Sequence, residues 1–446
     1  MQESIEYVLL FLLILPPLSL IIYRAKRHDE GGFLDLGVIF LLIVFAYAWL
    51  PLLGMVLAQH GYGGLQDNRI FFVKPTSGEI VYVGACYLAF LVGFSLFYGC
   101  QKKLVAKSPE LVKADWLQVF IVLMGVIVVF LANLLSRFLL GVGAAGSYSA
   151  SYTQFRDFPI LVQQFMGILS QLEFSIVLAA MVFVIAWKPR NHKYVAVIMV
   201  GILLNAVFSG GGRTFGFLLA FAYMVCVSIY VKRFKFSQFA IMAGVGLVLF
   251  TIAGVLRSGA SGFGPGMLTP FQGGEFFSVF VNSIDLLRHS AEVGAGNIVR
   301  SFYLIDFLRF IPQQILPIEK LDPAVWYVKT YFPTFYKSGG GLAFGAIAES
   351  VVGLGVVEAL LRGCLLGMAY AFVTNRCLSG RVTPFKVFIY VWFVVISYQA
   401  VRDTTFVVFF RFFFHVLPVL IVVAVSSIAI RQAIRSDRCK SLKMSS

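Results

Sequence analysis

The sequence predicts an all-α polytopic membrane protein with about 11 transmembrane helices, and three observations predict it. Of 446 residues 59% are hydrophobic and only 13% charged, about half the charge of a soluble chain. The apolar residues come in runs of about 20, the length at which a helix crosses a bilayer core of roughly 30 Å. Charged or turn residues bound each run. With a mean hydropathy of +0.88, this pattern excludes a water-soluble multidomain enzyme and a disordered chain. It also excludes an outer-membrane barrel, whose strands alternate apolar and polar residues over about ten positions.

The runs place spans at 5–23, 33–57, 78–100, 116–141, 161–187, 194–208, 214–231, 239–256, 354–373, 387–401 and 406–430. The sixth and tenth are short for a crossing and are expected to extend into the adjoining turns. The first has neither a basic segment before it nor an A-x-A cleavage site, so it reads as a retained helix and not a signal peptide. Six cysteines form no CxxC or metal-ligand spacing, and none falls in a loop expected outside the cytoplasm.

The net charge of +15 would suggest nucleic acid in a soluble protein; in a membrane protein it first sets orientation. Loops 24–30, 101–115, 188–193, 232–238, 374–386 and the tail from 431 hold 21 Lys and Arg, whereas the alternate loops hold twelve, seven of them in one long loop. The first set is therefore expected in the cytoplasm. That puts the N-terminus outside and the C-terminus inside, with no nucleic-acid partner implied.

The long loop, 257–353, separates an N-terminal membrane region (1–256) from a C-terminal one (354–446) that ends in a basic tail. A loop of that length inside a compact chain is usually functional. It opens glycine-rich at 258–266, continues through an amphipathic stretch with Asp285, Arg288, His289 and Glu292, and predicts a further helix at 297–311 stopped by Pro312. Its aromatic content implies short helices that pack on the membrane region. The apolar stretch 338–373 would be roughly 54 Å long as one helix, too long for the bilayer, so it must break. Gly353-Leu354-Gly355 is the natural hinge. The short first half, a re-entrant-like helix, then carries Glu349 near the outer leaflet. Backbone broken at that depth survives only within protein or along a wet cavity.

By topology Arg137, Arg213, Arg257, Arg402 and Arg411 all fall at the outer face. Arginine there is costly and finds either an anion in a polar cavity or the lipid headgroups, to which it snorkels. Arg213 follows Gly210-Gly211-Gly212 and Arg402 opens the polar turn Arg402-Asp403-Thr404-Thr405, which favours anion contact for these two. Arg411 and His415 share a helical face, suited to a neighbouring helix or to substrate. Glu358 and Arg362, also four apart and deeper, read as an internal ion pair. No D-x-D, HExxH or phosphate-loop motif occurs, so neither a metal nor a cofactor is expected. Scarce carboxylates in the spans disfavour a cation-coupled transporter.

Three segments together resemble the Wzy-type O-antigen and oligosaccharide repeat-unit polymerases: Phe208-Ser209-Gly210-Gly211-Gly212-Arg213; Ile311-Pro312 through Pro317, then Gly339-Gly340-Gly341 through Glu349 to Gly355; and Val401-Arg402-Asp403 before the last span. The hydropathy profile, with one dominant outer loop in the second half, is similar as well. The R-x₁₀-G loop motif of some members fails at Arg213, Arg257, Arg288 and Arg300, since Met224, Leu268, Val299 and Ile311 stand eleven residues beyond them.

The resemblance implies metal-independent glycosyl transfer at the outer face of the bacterial inner membrane. Undecaprenyl-diphosphate-linked oligosaccharides would be both donor and acceptor, with membrane lipid and a chain-length regulator as further partners. It also implies that Arg213, Arg402, Arg411, Arg257, Arg137 and Arg288 hold the diphosphate. Glu349 would activate the acceptor hydroxyl, or instead orient an arginine such as Arg213 or Arg402; His289 is the next candidate base. An O-antigen ligase and a lipid-linked glycan flippase or transporter are the alternatives. Transporters often show two similar halves, and no internal repeat is evident here.

Overall fold

The computed structural model describes residues 35–59, 76–101, 110–139, 158–208, 213–232, 275–289, 322–337 and 341–444, with the isolated positions 234, 238, 241, 242, 245, 308, 311 and 315. The described chain is mostly helical. Its first six helices are α1 (Leu36–Gln59), α2 (Ser77–Gln101), α3 (Trp116–Leu139), α4 (Ile160–Trp187), α5 (His192–Phe208) and α6 (Arg213–Tyr230). From the long loop come α7 (Glu275–His289), α8 (Pro323–Tyr331), α9 (Pro333–Lys337) and α10 (Ala346–Val352). The C-terminal region adds α11 (Val356–Leu378), α12 (Pro384–Ile396), α13 (Gln399–Arg402), α14 (Val407–Arg411), a π-helical turn Phe412–Val416 and α15 (Leu417–Met444).

Among the described residues, six segments are long and apolar enough to cross a membrane: 78–99, 116–136, 161–187, 356–378, 384–402 and 407–432. This is an all-α polytopic membrane protein. Nine of the predicted spans coincide with described helices. Those at 5–23 and 239–256 lie wholly or largely outside the described residues, as do the glycine-rich stretch 258–266 and most of the predicted helix 297–311. The sixth predicted span stays short, at 17 residues, about 26 Å of helix. The tenth is two pieces, because Ser397 and Tyr398 interrupt α12 before α13.

The tightest packing is between α2 and α11, which run parallel. A Cβ on Gly363 would lie 2.1 Å from the Phe90 carbonyl oxygen, one on Gly367 2.5 Å from that of Phe94, and one on Gly93 2.3 Å from that of Leu360. Lipid tails are as apolar as leucine, so helices associate in a membrane through such close backbone approach and its dispersion contacts. Gly363 and Gly367, four residues apart, present one flat strip to α2.

Described polar contacts gather at two ends of the bundle. At one end Glu110–Leu111 pairs in parallel with Arg381–Val382, Arg431 bonds Asp115, and the Ala114 N–H donates to the Ala186 carbonyl at 3.4 Å. Two basic loops, the basic tail and the end of α4 thus meet. Near that end the Asp35 carboxylate caps α1, accepting from the Gly37 N–H at 3.0 Å and from the Tyr98 hydroxyl at 2.9 Å. Tyr98 also meets Thr374 at 3.2 Å, and the Tyr390 hydroxyl accepts from the Leu36 N–H at 3.0 Å. One buried polar chain therefore pins α1, α2, α11 and α12.

At the opposite end α7 enters the bundle and packs on α1, α2 and α10. A second apolar cluster, with Leu286, Tyr327, Phe332, Phe344 and Val352, joins α8 to α7 and α10. The described part of the 257–353 segment is thus continuous with the membrane core, as its aromatic content predicts.

Candidate functional site

The break expected at Gly353–Gly355 is present: α10 ends at Val352 and α11 starts at Val356. The Gly353 N–H donates to the Glu349 carbonyl at 3.1 Å and the Gly355 N–H to that of Ser350 at 2.7 Å. Gly355 has φ +63°, and a Cβ there would meet the Tyr82 hydroxyl at 2.2 Å, so glycine alone suits the position. The turn packs the start of α11 against α10. A row of charged groups comes together there.

Arg362 stands at its centre. Its Nη1 lies 2.6 Å from Glu349 Oε2, and its Nε lies 2.7 Å from Glu358 Oε1. The three side chains are 5%, 1% and 6% exposed, in the order Arg362, Glu349, Glu358. Glu358 Oε2 also accepts from the Leu354 N–H at 2.9 Å, which ties the chain to the glycine break. Thr405 closes the other side. Its N–H donates to Glu349 Oε2 at 3.3 Å, and its hydroxyl accepts from Arg362 Nη1 at 3.2 Å. Buried charges persist when paired and hydrogen-bonded in this way.

The Glu349–Thr405 contact anchors the turn after α13, whose other residues carry the accessible charges. Asp403 Oδ2 accepts from Arg411 Nη2 at 3.1 Å, and Asp403 Oδ1 is 3.5 Å from Arg402 Nη1. Asp403, Arg411 and Arg402 are 22%, 24% and 32% exposed. The backbone of Asp403 is held on both sides: its carbonyl accepts from the Gly345 N–H at 3.1 Å, and its N–H donates to the Gln399 carbonyl at 2.9 Å. One turn beyond Arg411, His415 is buried in the π-helical segment with no hydrogen bond on Nδ1. Insertions of this kind in α-helices are frequent at functional sites.

Arg402 and Arg411 are thus brought together, over Asp403. Arg288, at the end of α7, is instead forked onto Glu79, with Nε–Oε1 at 2.6 Å and Nη2–Oε2 at 2.7 Å. That bidentate bond raises the guanidinium pKa above its ordinary value. His289 turns back to the Asp285 carbonyl at 2.8 Å and lies against the Tyr331 ring. Asp285 Oδ2 also accepts from the Tyr327 hydroxyl at 2.5 Å. Burial first, and the Asp285 charge second, push that phenol's pKa up. Arg137 falls in the last turn of α3 and Arg213 opens α6, while Arg257 lies outside the described residues.

Two features differ from expectation. Glu349 is almost fully enclosed rather than lining an open cavity, and the guanidinium 2.6 Å from it is that of Arg362. Arg362 holds both its i−4 neighbour Glu358 and a carboxylate thirteen residues back. Helical periodicity reveals the first pairing and cannot reveal the second, which the glycine break creates. Asp403 joins the two arginines, and its signal in the sequence is its position. It is the sole acidic residue between Arg402 and Arg411 in the sequence.

The fold and this site define a membrane-embedded helical protein with a buried Glu–Arg–Glu triad under a two-arginine turn. Comparison of the chain with protein-family models, with curated proteins and with solved structures finds no match.

Proposed function

We propose that the protein polymerises undecaprenyl-diphosphate-linked oligosaccharide repeat units at the outer face of the bacterial inner membrane, by glycosyl transfer without a metal. The carrying observation is the partly exposed arginine pair Arg402 and Arg411, set around one carboxylate at the long-loop end of the bundle. In transfer from a lipid diphosphate the largest catalytic need is to stabilise charge on the leaving group. Two guanidinium forks suit diphosphate oxygens geometrically, and partial burial strengthens their field relative to water. Arg213, at the start of α6, is a further diphosphate ligand in this reading. The polyprenyl tail lies among the apolar helices, and the glycan leaves along the 257–353 segment. The basic loop end faces the cytoplasm by the positive-inside rule, with the N-terminus periplasmic and the C-terminus cytoplasmic.

Glu349 serves the site from behind. Its oxygen is committed to Arg362 and to Thr405, so it fixes the turn that presents Asp403 and Arg402.

Deletion of the gene supplies both a test and a substrate. Deleted cells are expected to lose surface polymer and to accumulate single-repeat lipid-linked glycan. That glycolipid, given to the purified protein in phospholipid nanodiscs, is expected to yield a ladder of longer glycans and free undecaprenyl diphosphate. Unchanged polymer in deleted cells refutes the proposal. Transfer of glycan to a lipopolysaccharide core, with no ladder, would identify a ligase instead.

A further inference from the structure

We infer that Asp403 is the base that accepts the proton of the attacking sugar hydroxyl, and that the donor diphosphate switches it on by drawing Arg402 and Arg411 away from it. This rests on the polymerase reading above. Asp403 is 22% exposed, between two arginines that are themselves partly exposed, whereas Glu349 is 1% exposed and its Oε2 already accepts from Arg362 and Thr405. A sugar hydroxyl at the arginine pair reaches the first carboxylate directly. It reaches the second only if the 403–405 turn opens. General-base catalysis needs hydrogen-bond reach before anything else, and that criterion selects Asp403.

The same geometry explains how a carboxylate engaged by two arginines becomes basic. Without donor, Asp403 is their counter-ion, at 3.1 Å from Arg411 and 3.5 Å from Arg402. An arriving diphosphate carries more charge and more acceptor oxygens, so both forks turn to it. The Asp403 main chain stays in place, because Gly345 and Gln399 bond it and Thr405, two residues on, is anchored to Glu349. The carboxylate is then left beside the reacting centre with its counter-charges redirected.

In the transfer step the acceptor hydroxyl oxygen bonds to the donor's anomeric carbon. The bond from that carbon to the phosphate oxygen breaks, and its electron pair leaves with the lipid diphosphate. The hydroxyl proton passes to an Asp403 carboxylate oxygen, and the two arginines bear the charge gained by the leaving group. Water then takes the proton from Asp403. Base and charge stabilisers are one cluster, so the base is released only when a donor is present to be attacked.

The test is Asp403→Asn in the full-length protein in nanodiscs, with single-repeat glycolipid from deleted cells as substrate and undecaprenyl diphosphate as the binding probe. The expected result is a fall in kcat of about a hundredfold or more, the low end for loss of a general base. Binding of undecaprenyl diphosphate is expected to be unchanged or tighter, since a competing carboxylate has gone. A counter-ion role alone would leave kcat near normal. If Asp403→Asn does not bind the probe or elute as folded protein, Asp403→Ser is judged by the same two readouts. Polymer from wild type with either folded variant within threefold in kcat overturns the role of Asp403 alone. No polymer from wild type overturns the polymerase reading and this role with it.

Discussion

Replacing Arg362 with methionine isolates what the buried triad contributes. Methionine keeps much of the side-chain length and removes the guanidinium. Glu349 and Glu358 then remain with side chains 1% and 6% exposed, having lost contacts of 2.6 and 2.7 Å. The Thr405 hydroxyl loses a donor at 3.2 Å as well. Breaking a buried pair by removing one partner costs about 3–5 kcal/mol, because the remaining charge is enclosed without compensation. That cost lowers the folding equilibrium constant by roughly two to three and a half orders of magnitude. Reversible SDS titration in mixed micelles, followed by intrinsic fluorescence, reads the free energy directly. A triple variant, Arg362→Met with Glu349→Met and Glu358→Met, is expected to recover most of the loss, since apolar side chains of similar volume replace buried ionic groups at little cost. The reasoning is refuted if Arg362→Met stays within about 1 kcal/mol of wild type, well below the cost of breaking such a pair, or if the triple variant is no more stable than the single one.

Reporter fusions should place Lys103, Arg190, Lys235 and Arg381 in the cytoplasm and Asn68, Asp157, Ser261 and Asp403 outside; a cytoplasmic signal at Ser261 or Asp403 would put the proposed site in the wrong compartment. Alanine at Arg402, Arg411 or Arg213 should abolish polymer in cells at unchanged protein level, with lysine restoring it only in part because it lacks the fork; full activity in all three alanine variants would mean that these arginines only reach for headgroups. Gly363→Val should lower stability by about 1–3 kcal/mol or more in the same SDS titration, as overpacking does, because its Cβ would sit 2.1 Å from the Phe90 carbonyl. Gly167→Ala, where nothing lies within 4 Å, should cost nothing.

Composition and periodicity determined the membrane class, because a chain this apolar has no other soluble or barrel solution. Run lengths located the helices from 36 to 230 to within a few residues, whereas α11 ends at Leu378 and the last helix at Met444, beyond the expected ends at 373 and 430. The excess length of 338–373 determined that the chain must break, and glycine chemistry determined where. Spacing also indicated the Glu358–Arg362 pair, four residues apart on one helix. These features are local, and local physics writes them into the order of residues.

Only the tertiary structure decided which charges meet. Glu349 found Arg362 because the turn at 353–355 lays α10 against the start of α11, and it found Thr405 because α13 and α14 close over them. Arg288 was taken by Glu79, 209 residues earlier in the chain, so an arginine predicted for the diphosphate is committed to holding α7 on α2. Arg402 and Arg411 were joined through Asp403 by the tight turn between α13 and α14. A bilayer constrains every backbone group, and hydropathy alone reports that constraint. It leaves the choice of partner for each buried charge to contacts distant in sequence, and those are settled when the helices pack.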